Sequence, residues 1–168
     1  MARMQILRFA EAEHALNLKA AAYAGVIAGF FFVLLMMILI PLLLDENPWT
    51  PVRMVAAIVM GERALEAATP ALSTSLAIVA LFVHFALSIL YAVILSYLIY
   101  RLETLSALLV GALFGLALYV INFYAFTGLF GWFAAGRNWV SVVAHLLFGV
   151  ALAFAYKQLV KRGFPTRG

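Results

Sequence analysis

The chain of 168 residues is 67% hydrophobic and only 11% charged, where an ordinary soluble domain has roughly a quarter of its residues charged. A globule of this size cannot hide so much apolar surface, which excludes a disordered tail, a DNA-binding domain and a water-soluble single domain. Cysteine is absent, and with it disulfides, thiolate metal sites, iron–sulfur clusters and cysteine nucleophiles. The net charge of +4 takes its meaning from where the charges fall.

A helix crossing the hydrocarbon core needs about 20 mostly apolar residues. Ala20 to Leu44, Ala71 to Tyr100 and Leu105 to Trp132 carry no charge, and Trp139 to Tyr156 carries none either, with Lys157 and Lys161 able to extend it by snorkelling. Backbone amides in lipid must be satisfied within their own segment, so each stretch is expected to be a helix. The predicted fold is an all-α integral membrane four-helix bundle, one domain over 1–168, with spans at about 20–44, 71–100, 105–132 and 139–159. The first span reads as a membrane helix and not as a cleaved signal peptide, because its apolar run is too long and no small-residue cleavage site follows it.

Between the first two spans lies a longer connection, Asp45 to Pro70. Thr50-Pro51 reads as an N-cap followed by proline at the first helical position. The apolar run Val52 to Met60 is too short to span, which predicts an interfacial or re-entrant helix at about 51–66 anchored by Trp49. The second connection, around Arg101 to Thr104, and the third, Gly131 to Asn138, are short; Asn138 is the expected N-cap of the fourth span. Met1 to Asn17 is a weaker amphipathic candidate.

Basic residues orient the bundle. Arg3, Arg8, Lys19, Arg101, Lys157, Lys161, Arg162 and Arg167 fall on one side, and Arg53, Arg63 and Arg137 on the other. The positive-inside rule then places both termini in the cytoplasm of a bacterial inner membrane. Trp49, Trp132 and Trp139 fall at the outer interface, and Tyr97, Tyr100 and Tyr156 at the inner one. Orientation thus accounts for the positive charge, and no nucleic-acid partner is implied.

Polar side chains within a bilayer are costly, so each calls for an account. On the second span Ser73, His84, Ser88 and Tyr91 share a stripe with small residues, and the fourth repeats the pattern with Ser141, His145, Gly149 and Ala153. Gly25 and Gly29 on the first span, and Gly111, Gly115 and Asn122 on the third, complete four small-residue faces suited to close helix approach. These faces should turn inward. At a rise of about 1.5 Å per residue, His145 lies roughly 9 Å below the outer surface, Asn122 roughly 15 Å and His84 roughly 15–20 Å, so the three are able to converge. Similar glycine and histidine placement in the two halves also suggests a two-fold repeat.

Two roles for the histidines stay open. Each pins helix register through an interhelical hydrogen bond, or His84 and His145 ligate a haem b iron axially from opposite helices. No acidic or thiolate residue within the spans completes a metal site, so none is expected. A proton relay through His84, Tyr91 and Asn122 is a further option. Arg53 and Arg137 either clamp an anionic headgroup from the outer face or pair with Asp45, Glu46 or Glu62. The chain contains no Gly-x-Ser-x-Gly, P-loop, dinucleotide fingerprint or His-Glu-x-x-His, and no acidic residue stands inside a span.

The glycine pairs, the His84-x-x-x-Ser88 pair and a histidine in the fourth span together resemble small bacterial four-span inner-membrane proteins of the YagU type. The likeness covers most of the chain, with the longer extra-membrane insertion of that type replaced by the Pro48–Pro70 region. It implies an inner-membrane location and no assigned activity. The sequence therefore favours a non-catalytic accessory or assembly subunit of a larger, for instance respiratory, membrane complex, or a homo-oligomer, with other membrane subunits or its own copies as partners. The alternatives are a haem- or lipid/anion-binding protein using the intramembrane histidines, and a small transporter or channel.

Overall fold

The computed structural model describes residues 16–66 and 73–163. The amphipathic reading of Met1 to Asn17 (all but its last two residues), Arg3, Arg8, Arg167 and the predicted first residues of the second span, Ala71 and Leu72, lie outside them. Among the described residues four helices are long and apolar enough to cross a membrane: α1 (Leu18–Leu44), α3 (Thr74–Ile99), α4 (Thr104–Val120, continued by irregular turns to Gly128) and α5 (Trp139–Lys161). The short helix α2 (Thr50–Met60) and a 3₁₀ turn (Glu62–Ala64) form the connection between α1 and α3. The molecule is a four-helix membrane bundle with one additional short helix.

Local signals start and stop these helices. Asn17 accepts a hydrogen bond from the Ala20 amide at 2.9 Å, Ser73 from Leu76 at 3.3 Å, and Asn138 from Ser141 at 2.9 Å. Each satisfies one of the donors that a helix start leaves without an intrahelical partner. The predicted cap at Thr50 is displaced. Trp49 occupies that position without a side-chain cap, and Thr50 is already helical. Asn47 instead organises the turn, its Oδ1 accepting from the Trp49 amide and its carbonyl from Thr50. Ahead of it, Asp45 ends α1 in the left-handed conformation, φ 53°, a region where aspartate is among the few tolerated non-glycine residues.

The third span departs most from its expected outline. Regular helix stops at Val120 and gives way to a π-helical turn (Ile121–Ala125) and a 3₁₀ turn (Phe126–Gly128), with a second 3₁₀ turn at Gly131–Gly136 before α5. A π turn lets the Phe126 amide reach the Ile121 carbonyl, five residues back, and such turns disturb the regular ladder of carbonyls. Periodicity in an apolar run carries no mark of this break.

In the bundle α5 is central, lying against α4 on one side and α1 on the other, while α3 packs against α1. In their most apolar windows α5 is 56% buried and the other three spans 22 to 28%. The least apolar span is thus the one most shielded from lipid, as expected where polar residues must be covered by protein. Although α3 and α4 are joined by a tight turn, they touch each other little.

The two ends of the bundle are built differently. At the end away from α2, Ala20, Ala21, Ala24 and Ala28 of α1 meet Ala92, Leu95 and Ile99 of α3, Ala107 of α4 and Leu152 and Tyr156 of α5 in one continuous core. Small side chains let the helices approach closely here. Tyr156 is 2% exposed, and its hydroxyl accepts a hydrogen bond from the Asn17 amide at 3.2 Å. Lys157 is also buried. At the other end the four helices separate around a space covered by α2 and the Gly131–Gly136 turn. Trp132 joins these two covers, its indole N–H donating to the Met54 carbonyl at 3.1 Å.

Candidate functional site

That space is a cavity of about 230 Å³. Its walls are largely apolar: Phe32, Met36 and Ile40 of α1, Met54, Val55 and Ile58 of α2, Val83 and Leu87 of α3, and Leu118, Phe123 and Phe126 of the third span. Its polar lining comprises His84, Ser88, Tyr91, Asn122, Ser141 and His145, with Glu46, Thr50 and Asn138 also on its wall. A smaller crevice of about 60 Å³ between α1, α2 and α3 shares Phe32, Met36, Pro51, Val55 and His84 with it.

The polar groups are ordered by one fixed donor. The Nδ1 of His145 lies 2.8 Å from the Ser141 carbonyl oxygen. A carbonyl only accepts, so Nδ1 carries the proton and, in the singly protonated ring, Nε2 presents a lone pair. Asn122 Nδ2 donates to that nitrogen at 3.3 Å, which leaves the Asn122 carbonyl oxygen facing the other way. There it accepts from the Tyr91 hydroxyl at 3.3 Å. A directional chain, Tyr91 to Asn122 to His145 to Ser141, thus links α3, the π turn and α5. His84 stands apart from it, bound through Nε2 to the Gly29 carbonyl of α1 at 3.0 Å.

Phe32 lies against both imidazoles. Its ring centroid is 5.9 Å from His84 in a stacked arrangement and 5.0 Å from His145 edge to face. Tyr119 and Phe123 close on His145 from the third span, at 6.0 and 5.4 Å. The histidine on α5 is consequently enclosed by aromatic rings, and its two nitrogens both lie in hydrogen bonds. Among the described residues no three His, Cys, Asp or Glu side chains are grouped to hold a metal ion.

Several glycines lie where the helices carrying these histidines approach their neighbours closely. A Cβ added to Gly115 would fall on the carbonyl oxygen of His145, and one on Gly111 would stand 2.5 Å from that of Gly149. At these points α4 and α5 meet backbone to backbone. On the other side, a Cβ at Gly25 would lie 2.8 Å from the Ile89 Cα, and one at Gly29 2.9 Å from the Ser88 Oγ. In each half, then, a glycine-bearing helix lies against the histidine-bearing one.

The arginines stand elsewhere. Arg137 donates from Nε to the Phe123 carbonyl at 2.7 Å and from Nη2 to the Thr127 hydroxyl at 3.0 Å, with its guanidinium 4.5 Å from the Tyr124 ring centroid. It braces the irregular end of the third span. Arg53 is buried on α2, and neither arginine lines the cavity. The residues that sequence reasoning missed are the cover: Met54, Ile58, Phe130 and Phe133 look like ordinary apolar residues until the chain folds back over the bundle. No family model, no curated protein and no solved structure matches the chain.

Proposed function

We propose that the protein is a non-catalytic membrane protein that binds a small lipid-soluble molecule in the cavity roofed by α2. The observation that carries this reading is the cavity itself, apolar on its walls and polar at His84, Ser88, Tyr91, Asn122 and Ser141. Small-molecule sites have this composition, mostly apolar with a few convergent polar groups. The other end of the bundle is packed closely through alanine and glycine, so the open space is confined to the end covered by α2.

The arrangement suits hydrogen bonding to a ligand better than axial ligation of haem. A bis-histidine iron requires a free nitrogen from each ring aimed at one point. His145 has both nitrogens engaged, and Phe32 lies against both rings. The distribution of basic residues and the YagU-type resemblance support a bacterial inner membrane with both termini in the cytoplasm, which puts the roofed end of the bundle on the outer side.

Native mass spectrometry of the protein released from its own membranes tests the reading. The expected result is a small adduct of constant mass, retained by wild type and lost when Ile58→Trp fills the cavity from its cover. Heterologous subunits at fixed stoichiometry, with no adduct, would overturn it in favour of an accessory subunit.

A further inference from the structure

The cavity presents polar atoms that the protein itself leaves unused. His84 donates through Nε2 to the Gly29 carbonyl, so its singly protonated ring carries a lone pair at Nδ1. That nitrogen has no hydrogen-bond partner among the described residues and is not sealed off from the surroundings. Ser88, one helical turn further along α3, lines the same cavity; the residue is 2% exposed, and its Oγ forms no hydrogen bond among the described residues and, like His84 Nδ1, is not sealed off. Ser96, further along the same helix, behaves differently: its Oγ donates back to the Val93 carbonyl at 2.9 Å. Four-residue spacing puts Ser88 on the same helix face as His84.

The lining also lacks a cation. Among the described residues around the cavity the one formally charged side chain is Glu46, in the connection between α1 and α2. An anionic headgroup would find no counter-charge there and would meet a carboxylate.

We propose that the site recognises a hydroxyl on an uncharged, lipid-soluble molecule of the alcohol or phenol class. The ligand O–H donates to His84 Nδ1 and its oxygen accepts from Ser88 Oγ. This rests on the cavity being a binding site and adds the chemistry of its ligand.

The test uses the full chain in phosphatidylcholine nanodiscs with a photoreactive alkylphenol, its attachment sites mapped by mass spectrometry. Competitors are 4-hexylphenol and its methyl ether 4-hexylanisole, compared at equal concentration in the lipid phase. The phenol is expected to suppress labelling of cavity residues about tenfold better than the ether, which lacks the donor. That preference should vanish in His84→Phe and shrink in Ser88→Ala, a change that removes the hydroxyl alone and leaves the helix packing in place. Equal competition by phenol and ether, or a preference unchanged in both variants, would overturn hydroxyl recognition while cavity labelling still upheld binding. Labelling confined to lipid-facing residues would overturn the binding reading itself.

Discussion

Asn122 reaches His145 from the π turn of the third span, its Nδ2 3.3 Å from the imidazole Nε2, while its carbonyl oxygen accepts from Tyr91 on α3. One amide therefore holds together two spans that otherwise touch little, α3 and the third span, and orients a buried imidazole. Its orientation is dictated at a distance by the Ser141 carbonyl, through the tautomer that this carbonyl imposes on His145.

If the chain acts as a unit, Tyr91 and Asn122 should be energetically linked. A double-mutant cycle with Tyr91→Phe and Asn122→Ala, read by reversible unfolding in mixed micelles, is expected to give an interaction energy of about 0.5–2 kcal/mol. Additive effects would show that the 3.3 Å contact contributes nothing in the folded bundle.

The α4–α5 crossing should tolerate no side chain at Gly115. Gly115→Val drives carbon into the His145 carbonyl, and overpacking of this kind costs about 1–3 kcal/mol or more. Gly128→Ala is the control, since nothing lies within 4 Å of a Cβ placed there. Thermal unfolding in detergent should separate the two clearly; a Gly115→Val protein as stable as Gly128→Ala would mean the helices do not meet as described.

Arg137 is expected to act as a brace. Arg137→Gln removes the donors to the Phe123 carbonyl and the Thr127 hydroxyl, so amide hydrogen exchange over residues 121–128 should accelerate while α1 is unchanged. Loss of affinity for anionic lipid without any change in exchange would assign the residue to headgroup binding instead.

At the closed end, Asn17 both caps α1 through its side chain and donates its own amide to Tyr156. Asn17→Ala should lower stability by about 1 kcal/mol, the usual loss of a cap, and Tyr156→Phe should add a smaller loss by depriving that amide of its acceptor. Both are read as shifts in the unfolding midpoint. Unchanged midpoints would mean that the start of α1 is frayed in the membrane.

The absence of cysteine makes topology directly measurable. If both termini lie in the cytoplasm, as proposed, a membrane-impermeant maleimide applied to intact spheroplasts should label Glu46→Cys and spare Lys161→Cys until the membrane is opened. The reverse pattern would invert the orientation and place the covered end of the cavity in the cytoplasm.

Four uncharged stretches were enough to determine the four spans, because a bilayer leaves an apolar segment of that length few alternatives to a helix, and Asn138 announced the start of α5 as an N-cap must. The inward direction of His84, His145 and Asn122 was also legible, since polar groups avoid lipid. What only tertiary structure decided is how those residues pair and where space remains. The π turn at Ile121–Ala125 lies within an unbroken apolar run, and Arg137 reaches its carbonyl from beyond the following turn. The cavity exists because α3 and α4 separate beneath α2, and separation between helices is a property of their crossings, which side chains far apart in sequence set jointly. Ser88 looks the same in sequence whether its hydroxyl is returned to its own helix or left without a hydrogen bond at the edge of a cavity. Neighbouring helices decide that, by closing over it or standing away.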